Sequence, residues 1–198
     1  MSEEATLRVI LGAGFLAVLS ITLVHRLKSW EAKEQLDRRQ EGLFVLAALR
    51  MVSLLLWVGL ITLVVNPAWM AWSAVSVPAW LRWSGVPVLA LGLALLTWAL
   101  RRLGTNLTDT VVTRDVHTLV INGPYRWVRH PFYDAMGLVV VAFALIAASW
   151  FIALTAALFV WLLVIRAPTE EAHLLARFGE EYSSYTRSTG RFLPRLRR

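Results

Sequence analysis

The chain has 198 residues, 58% of them hydrophobic and only 17% charged, whereas soluble domains carry about 25% charged residues. Apolar surface on this scale needs lipid to cover it, which excludes an ordinary soluble enzyme or binding module. There is no cysteine, so disulfides and thiolate metal sites are excluded as well. The net charge is +7, and its Lys and Arg residues cluster in loops as they do in multi-pass membrane proteins, so nucleic acid is not expected as a partner.

The elements follow in chain order. Residues 9–24 form the core of a first span, extended back to Ala5. The start, MSEEATLR, is acidic, and the apolar run leads into a charged loop, so a retained span is expected rather than a cleaved signal. Gly12-Ala13-Gly14 imitates a dinucleotide fingerprint, but no strand precedes it, and small residues inside a span suit close helix packing. The loop 25–42 carries Arg26, Lys28, Lys33, Arg38 and Arg39. Residues 51–65 are the core of span two, flanked by 43–49, with Arg50 near its charged end. Arg50 either snorkels to the interface or touches a headgroup or cofactor. Residues 66–80 carry no charge, and residues 86–100 are the core of span three. Ten Trp are present, and most fall near span ends (Trp57 does not).

Residues 135–165 are continuously uncharged. A single helix of that length would run about 45 Å, well past a hydrocarbon core of about 30 Å. Arg101, Arg102, Arg114, Arg126 and Arg129 precede this region, and Arg166, Arg177, Arg187, Arg191, Arg195, Arg197 and Arg198 follow it. Both groups belong on the cytoplasmic side, so the region must cross an even number of times. The expectation is therefore an all-α integral membrane protein of about five spans. The last two form a short hairpin that turns near Ser149 and Trp150. The N-terminus lies outside and the C-terminus inside. Residues 1–103 then hold spans one to three. Residues 104–198 form a catalytic region: a loop, the hairpin 131–166, and a C-terminal cytoplasmic helix with its tail.

Two polar pieces flank the hairpin and should meet at one membrane face. In the first, GTNLTDTVVTRDVHTLVINGPYRWVRHPFY, Asn122-Gly123-Pro124 marks a turn and Pro131 opens a helix with His130 at its cap. Amides at a helix start can bind a carboxylate. Residues 117–120 are β-prone and could offer backbone hydrogen bonds. In the second piece, RAPTEEAHLLARFGEEYSSYTRSTGRFLPRLRR, Arg166 ends span five and Glu170 follows on the same helical face, as a plain ion pair or as part of a site. Residues 171–187 have amphipathic helical spacing. The four histidines, His25, His117, His130 and His173, make no metal-ligand spacing, and HExxH, GxSxG and Walker patterns are missing. Neither metal nor covalent chemistry is expected, which leaves a site that works by positioning and electrostatics.

The ordered set His117–Val120, Gly123–Tyr125, Arg129–Tyr133, Arg166–Glu171, Phe178–Tyr185 and Arg191–Pro194 resembles the isoprenylcysteine carboxyl methyltransferase family and its bacterial and archaeal relatives. The resemblance is specific from about residue 104 to 194, and phospholipid methyltransferases share part of it. It implies S-adenosylmethionine as the methyl donor, with no metal, and a lipophilic or lipid acceptor, in the family a carboxylate. It implies that His117, Thr118, Leu119, Val120, Tyr125, His130, Pro131, Phe132, Tyr133 and Glu170 hold the cofactor, that Glu170 also serves catalysis, and that Arg166 faces the acceptor. A prokaryotic inner-membrane protein with a cytoplasmic site is implied too. The eukaryotic enzymes have a glutamine shortly before the HTLV run. Here residues 109–113 have none, and Thr113 is the nearest substitute. Asp134-Ala135 also departs from the usual glycine-containing continuation. Two other activities compete: an ethanolamine-type phospholipid N-methyltransferase, and an NADPH-dependent membrane sterol or enone reductase.

Overall fold

The computed structural model describes residues 2–30, 43–104 and 119–195. All regular structure among them is helical. Helix α1 spans Glu3–Trp30, opening on two acidic residues that suit a helix N-terminus. It runs beyond the expected loop start at residue 25, because residues 25–30 contain neither proline nor glycine to stop it. Helix α2, Leu43–Val65, is one continuous element. It stops where Asn66 turns extended before Pro67 and its side chain accepts the Ala68 amide at 3.1 Å. A short 3-10 helix, Pro67–Ser73, leads to α3, Ala79–Leu103.

The expected hairpin is present. Helix α4 spans Pro131–Ala147, Ala148 turns left-handed at φ 47°, and α5 starts at Trp150 with Ser149 as its cap. Ser149 accepts the Ile152 amide and bonds the Ser73 hydroxyl at 2.8 Å. Val75 donates to the Ala148 carbonyl at 2.9 Å. The hairpin turn is thus stitched to the segment after α2 through neutral groups that satisfy each other away from water.

Among the described residues, four helices are long and apolar enough to cross a membrane, within Glu3–His25, Phe44–Val65, Ala79–Leu103 and Trp150–Phe178. The fifth expected span is the shorter apolar α4, about 26 Å long at 1.5 Å per residue. Its closest partner is α3. A Cβ on Gly85 would come to 2.9 Å from the Ala142 carbonyl oxygen, and one on Gly92 to 3.1 Å from the Val139 amide. Side-chain-free positions let the two backbones approach, as in other helix contacts within lipid. The core gathers Leu7, Leu56, Leu60, Leu96, Phe143 and Ile152 from α1, α2, α3, α4 and α5. Trp57 belongs to it, edge-on to Phe15 at 5.0 Å and to Phe143 at 6.5 Å, which explains why this Trp falls away from a span end.

Helix α5 does not end with its apolar stretch. It runs over Trp150–Phe178, carrying Arg166, Pro168, Glu170 and Glu171 beyond the apolar residues 150–165. The amphipathic helix expected over 171–187 is instead divided. Gly179, at φ 53°, closes α5, and α6 covers only Glu180–Ser188. A glycine adopts that angle without a Cβ penalty and is a natural helix stop. The ends of α3 and α5 and the start of α4 therefore share one end of the bundle.

Candidate functional site

The first turn of α4 grows out of a 3-10 helix, Gly123–Arg126, that buries Pro124 and Tyr125. His130 caps α4 without a side-chain capping bond and is buried. Its ring is stacked on Tyr133 at 5.1 Å between centroids and tilted against Phe192 at 5.6 Å. Tyr133 also meets Phe132 at 6.1 Å and donates its hydroxyl to Glu170 Oε2 at 2.6 Å. Start of α4 and extension of α5 are thereby joined by two expected site residues.

The centre of the arrangement is Glu171. Its Oε1 accepts from Arg129 Nε at 2.9 Å and Arg191 Nε at 3.1 Å and lies 3.2 Å from His130 Nε2. Its Oε2 accepts from Arg191 Nη2 at 2.5 Å. Burial alone would raise the Glu171 carboxyl. The hydrogen bonds from His130, Arg191 and Arg129, with the Arg129 charge, outweigh that and hold it well below the usual carboxylate range. Arg129 is itself only 12% exposed in its side chain. Its Nη1 donates to the carbonyls of Thr189 at 2.6 Å and Thr186 at 3.4 Å, so it also satisfies the C-terminal carbonyls of α6.

The tail completes the enclosure. Arg129 donates its amide to the Gly190 carbonyl at 2.9 Å and His130 donates its amide to the Arg191 carbonyl at 3.1 Å. Val128 and Gly190 pair in parallel. A Cβ on Gly190 would collide with the Leu193 carbonyl oxygen, so only glycine admits this fold-back. Tyr185 donates its hydroxyl to the Tyr125 carbonyl at 2.5 Å and is pushed up to about 12, burial being the largest cause. Tyr182 is 2% exposed and its hydroxyl has no hydrogen-bond partner among the described residues.

Of the expected site residues, His117 and Thr118, and with them Thr113, lie outside the described residues. Leu119 and Val120 are half-buried and not helical. Tyr125, His130 and Pro131 are buried, and Phe132, Tyr133, Arg166 and Glu170 half-buried. Arg166 stands one turn before Glu170 on α5. Of the amides at this helix start, that of His130 is taken by the tail, and those of Tyr133 and Asp134 turn back to the His130 carbonyl. Sequence reading assigned no role to Arg129, Glu171 or Arg191. All three lie inside the recognised motifs, where Arg129 and Arg191 also belong to the charge bias that sets topology. Arg50 lies on α2 and is exposed.

Residues 85–176, from mid-α3 to the end of α5, match the Isoprenylcysteine carboxyl methyltransferase (ICMT) family. A solved structure described as the eukaryotic intramembrane Ras methyltransferase, isoprenylcysteine carboxyl methyltransferase, is similar to the chain at 26% identity and a TM-score of 0.52. The likeness covers 73% of this chain and 51% of that one, so the chain spans about half the length of that relative. No curated protein matches. The family segment holds the 3-10 turn, the hairpin, and both glutamates, and stops before α6 and the tail that clamp Glu171.

Proposed function

We propose that this chain is an integral membrane methyltransferase that uses S-adenosylmethionine to methylate a lipophilic acceptor bearing a carboxylate. The observation that carries the reading is the joining of His130, Tyr133, Glu170 and Glu171 at one end of the bundle, inside the segment that matches the family. Residues 104–198 are the catalytic region, and the site and C-terminus face the cytoplasm of a prokaryotic cell.

The residues fit the cofactor. Glu170 offers a carboxylate suited to an ammonium. The stacked His130 and Tyr133 with Phe192 form an aromatic shelf suited to a purine. Tyr182 adds a buried hydroxyl without a partner. His117, Thr118, Leu119, Val120 and Tyr125 complete the binding set, with Pro131 and Phe132 from the start of α4. The cofactor, when bound, supplies a methyl group already activated on a sulfonium. An acceptor carboxylate is ionised at neutral pH, with an ordinary pKa of about 4, so the protein needs no general base. What remains is alignment and exclusion of water. Arg166, a guanidinium one turn from Glu170, can hold the acceptor carboxylate through paired N–H groups. The Tyr133 hydroxyl fixes the Glu170 rotamer. The clamp on Glu171 keeps α6 and the tail folded over the start of α4.

Calorimetric titration of the purified chain with S-adenosylmethionine, S-adenosylhomocysteine and NADPH tests the reading. The first two should bind and NADPH should not. A preference for NADPH would point to the reductase chemistry instead, and binding of none would remove the enzymatic reading.

A further inference from the structure

At the same end of the bundle, outside the Glu171 clamp, lies a second cluster that the proposed chemistry does not use. Trp98, on the last turns of α3, meets Trp127 edge-on at 5.4 Å. Arg126 lies over the Trp127 ring at 4.1 Å from its centroid, within the range of a cation–π contact. Arg102 follows Trp98 by one helical turn, and Arg101 precedes it by one residue, so both sit beside the Trp pair on α3. Trp98 is 38% and Trp127 42% exposed, and all three arginines are exposed. Among the described residues, none of the three arginines forms an ion pair with a carboxylate. The cluster lies at the end of the apolar α3, and Trp favours the depth where hydrocarbon gives way to headgroups.

The patch is mechanically tied to the site. A Cβ on Gly123 would fall 2.6 Å from Arg102 Cγ, so the turn that opens the 3-10 helix rests on the Arg102 stem. Two residues later the same turn buries Tyr125, whose amide bonds the Asn122 carbonyl and whose carbonyl receives the Tyr185 hydroxyl. Any group that draws the Arg102 and Arg126 guanidiniums together therefore also fixes this turn.

We propose that Arg101, Arg102 and Arg126, framed by Trp98 and Trp127, form a binding site for an anionic phospholipid headgroup of the adjacent leaflet, and that its occupation orders the Gly123–Arg126 turn. Guanidiniums recognise phosphate oxygens through paired N–H groups. A zwitterionic headgroup carries its own cation and competes poorly for the patch, and the aromatic pair supplies the interfacial anchor. The inference depends on the chain being a membrane protein and does not depend on methyl transfer.

Two readouts on the full chain test it. Purified from detergent into native mass spectrometry, the wild-type protein should retain phosphatidylglycerol over phosphatidylcholine by roughly tenfold or more, about 1 kcal/mol being typical for each basic residue near an anionic surface. R102Q/R126Q should lose most of this preference. R101Q/R126Q, which leaves the Arg102 stem under Gly123, should lose it as well while melting like wild type. R8Q/R187Q, with the same loss of charge elsewhere, should keep it. In nanodiscs, the Tyr125 and Trp127 amides should exchange more slowly with phosphatidylglycerol than with phosphatidylcholine alone, and that difference should vanish in R101Q/R126Q. Equal retention of the two lipids by wild type, or an undiminished preference in both double variants, would overturn the site. Identical exchange in the two membranes would overturn the ordering of the turn. Neither readout involves the methyl donor, so the result stands apart from the fate of the proposed activity.

Discussion

The two ends of the bundle are held by different chemistry. At the end with the hairpin turn, Ser73, Ser149, the Val75 amide and the Ala148 carbonyl bond one another, and Trp72 packs against Trp150 and Phe151. At this end Arg82 donates to the Ile146 carbonyl at 3.1 and 3.2 Å and pairs with Glu4. Its bonds fall on the C-terminal carbonyls of α4, where a cation complements the helix dipole. At the other end a nearly buried carboxylate is surrounded by two arginines and a histidine. The neutral stitching fixes the hairpin whatever the pH. The charged clamp adds one ionised group to the backbone bonds that hold the tail.

The largest effect should come from breaking the clamp. Glu171→Ala leaves Arg129 nearly buried and uncompensated, and losses of about 3–5 kcal/mol are typical of such changes. Its melting temperature in detergent should drop sharply and α6 with the tail should become protease-sensitive. A variant that melts like wild type would show that the clamp is not structural. Next, Arg166→Ala should lower turnover by roughly 100-fold or more, the scale of losing one charge-stabilising donor, while leaving affinity for the methyl donor unchanged. Equal loss of donor binding would refute the division of roles. Tyr133→Phe removes a hydrogen bond to a charged group, about 1.5–3 kcal/mol, and should weaken donor affinity with little change in melting.

The clamp also predicts a pH dependence. The Glu171 carboxyl is held below its ordinary value of 4.5, so its stabilisation is fully present above that value. It is lost only as pH falls through the lowered folded-state value. Arg129→Gln should move this loss to higher pH, read as the midpoint of acid unfolding. At the far end, Ser149→Ala removes a helix cap and should cost about 1 kcal/mol with activity intact. A large loss of activity there would blur the contrast between the two ends.

The fold was legible because charge and apolar length are local properties. The uncharged run 135–165 and the flanking arginines suffice to place a hairpin, and Ala148-Ser149 lies where it was expected. The site was legible only in part. Spacing along one helix brings out Arg166 and Glu170. It cannot reveal that Glu171 meets residues 41, 42 and 20 positions away. Those contacts require the tail to fold back at Gly190, and the need for glycine there is set by the Leu193 carbonyl, which no periodicity encodes. The split at Gly179 was missed for a related reason: apolar spacing continues through it while the backbone does not.

The central claim is methyl transfer to a lipophilic carboxylate. The most direct measurement gives the chain, in liposomes, S-adenosylmethionine labelled in its methyl group together with a panel of lipophilic acids and amines, and then treats the lipid product with alkali. Transfer to a carboxylate leaves label in the organic phase that alkali releases as methanol, the mark of a methyl ester. Label that resists alkali, as on a methylated amine, or no transfer at all, would contradict it.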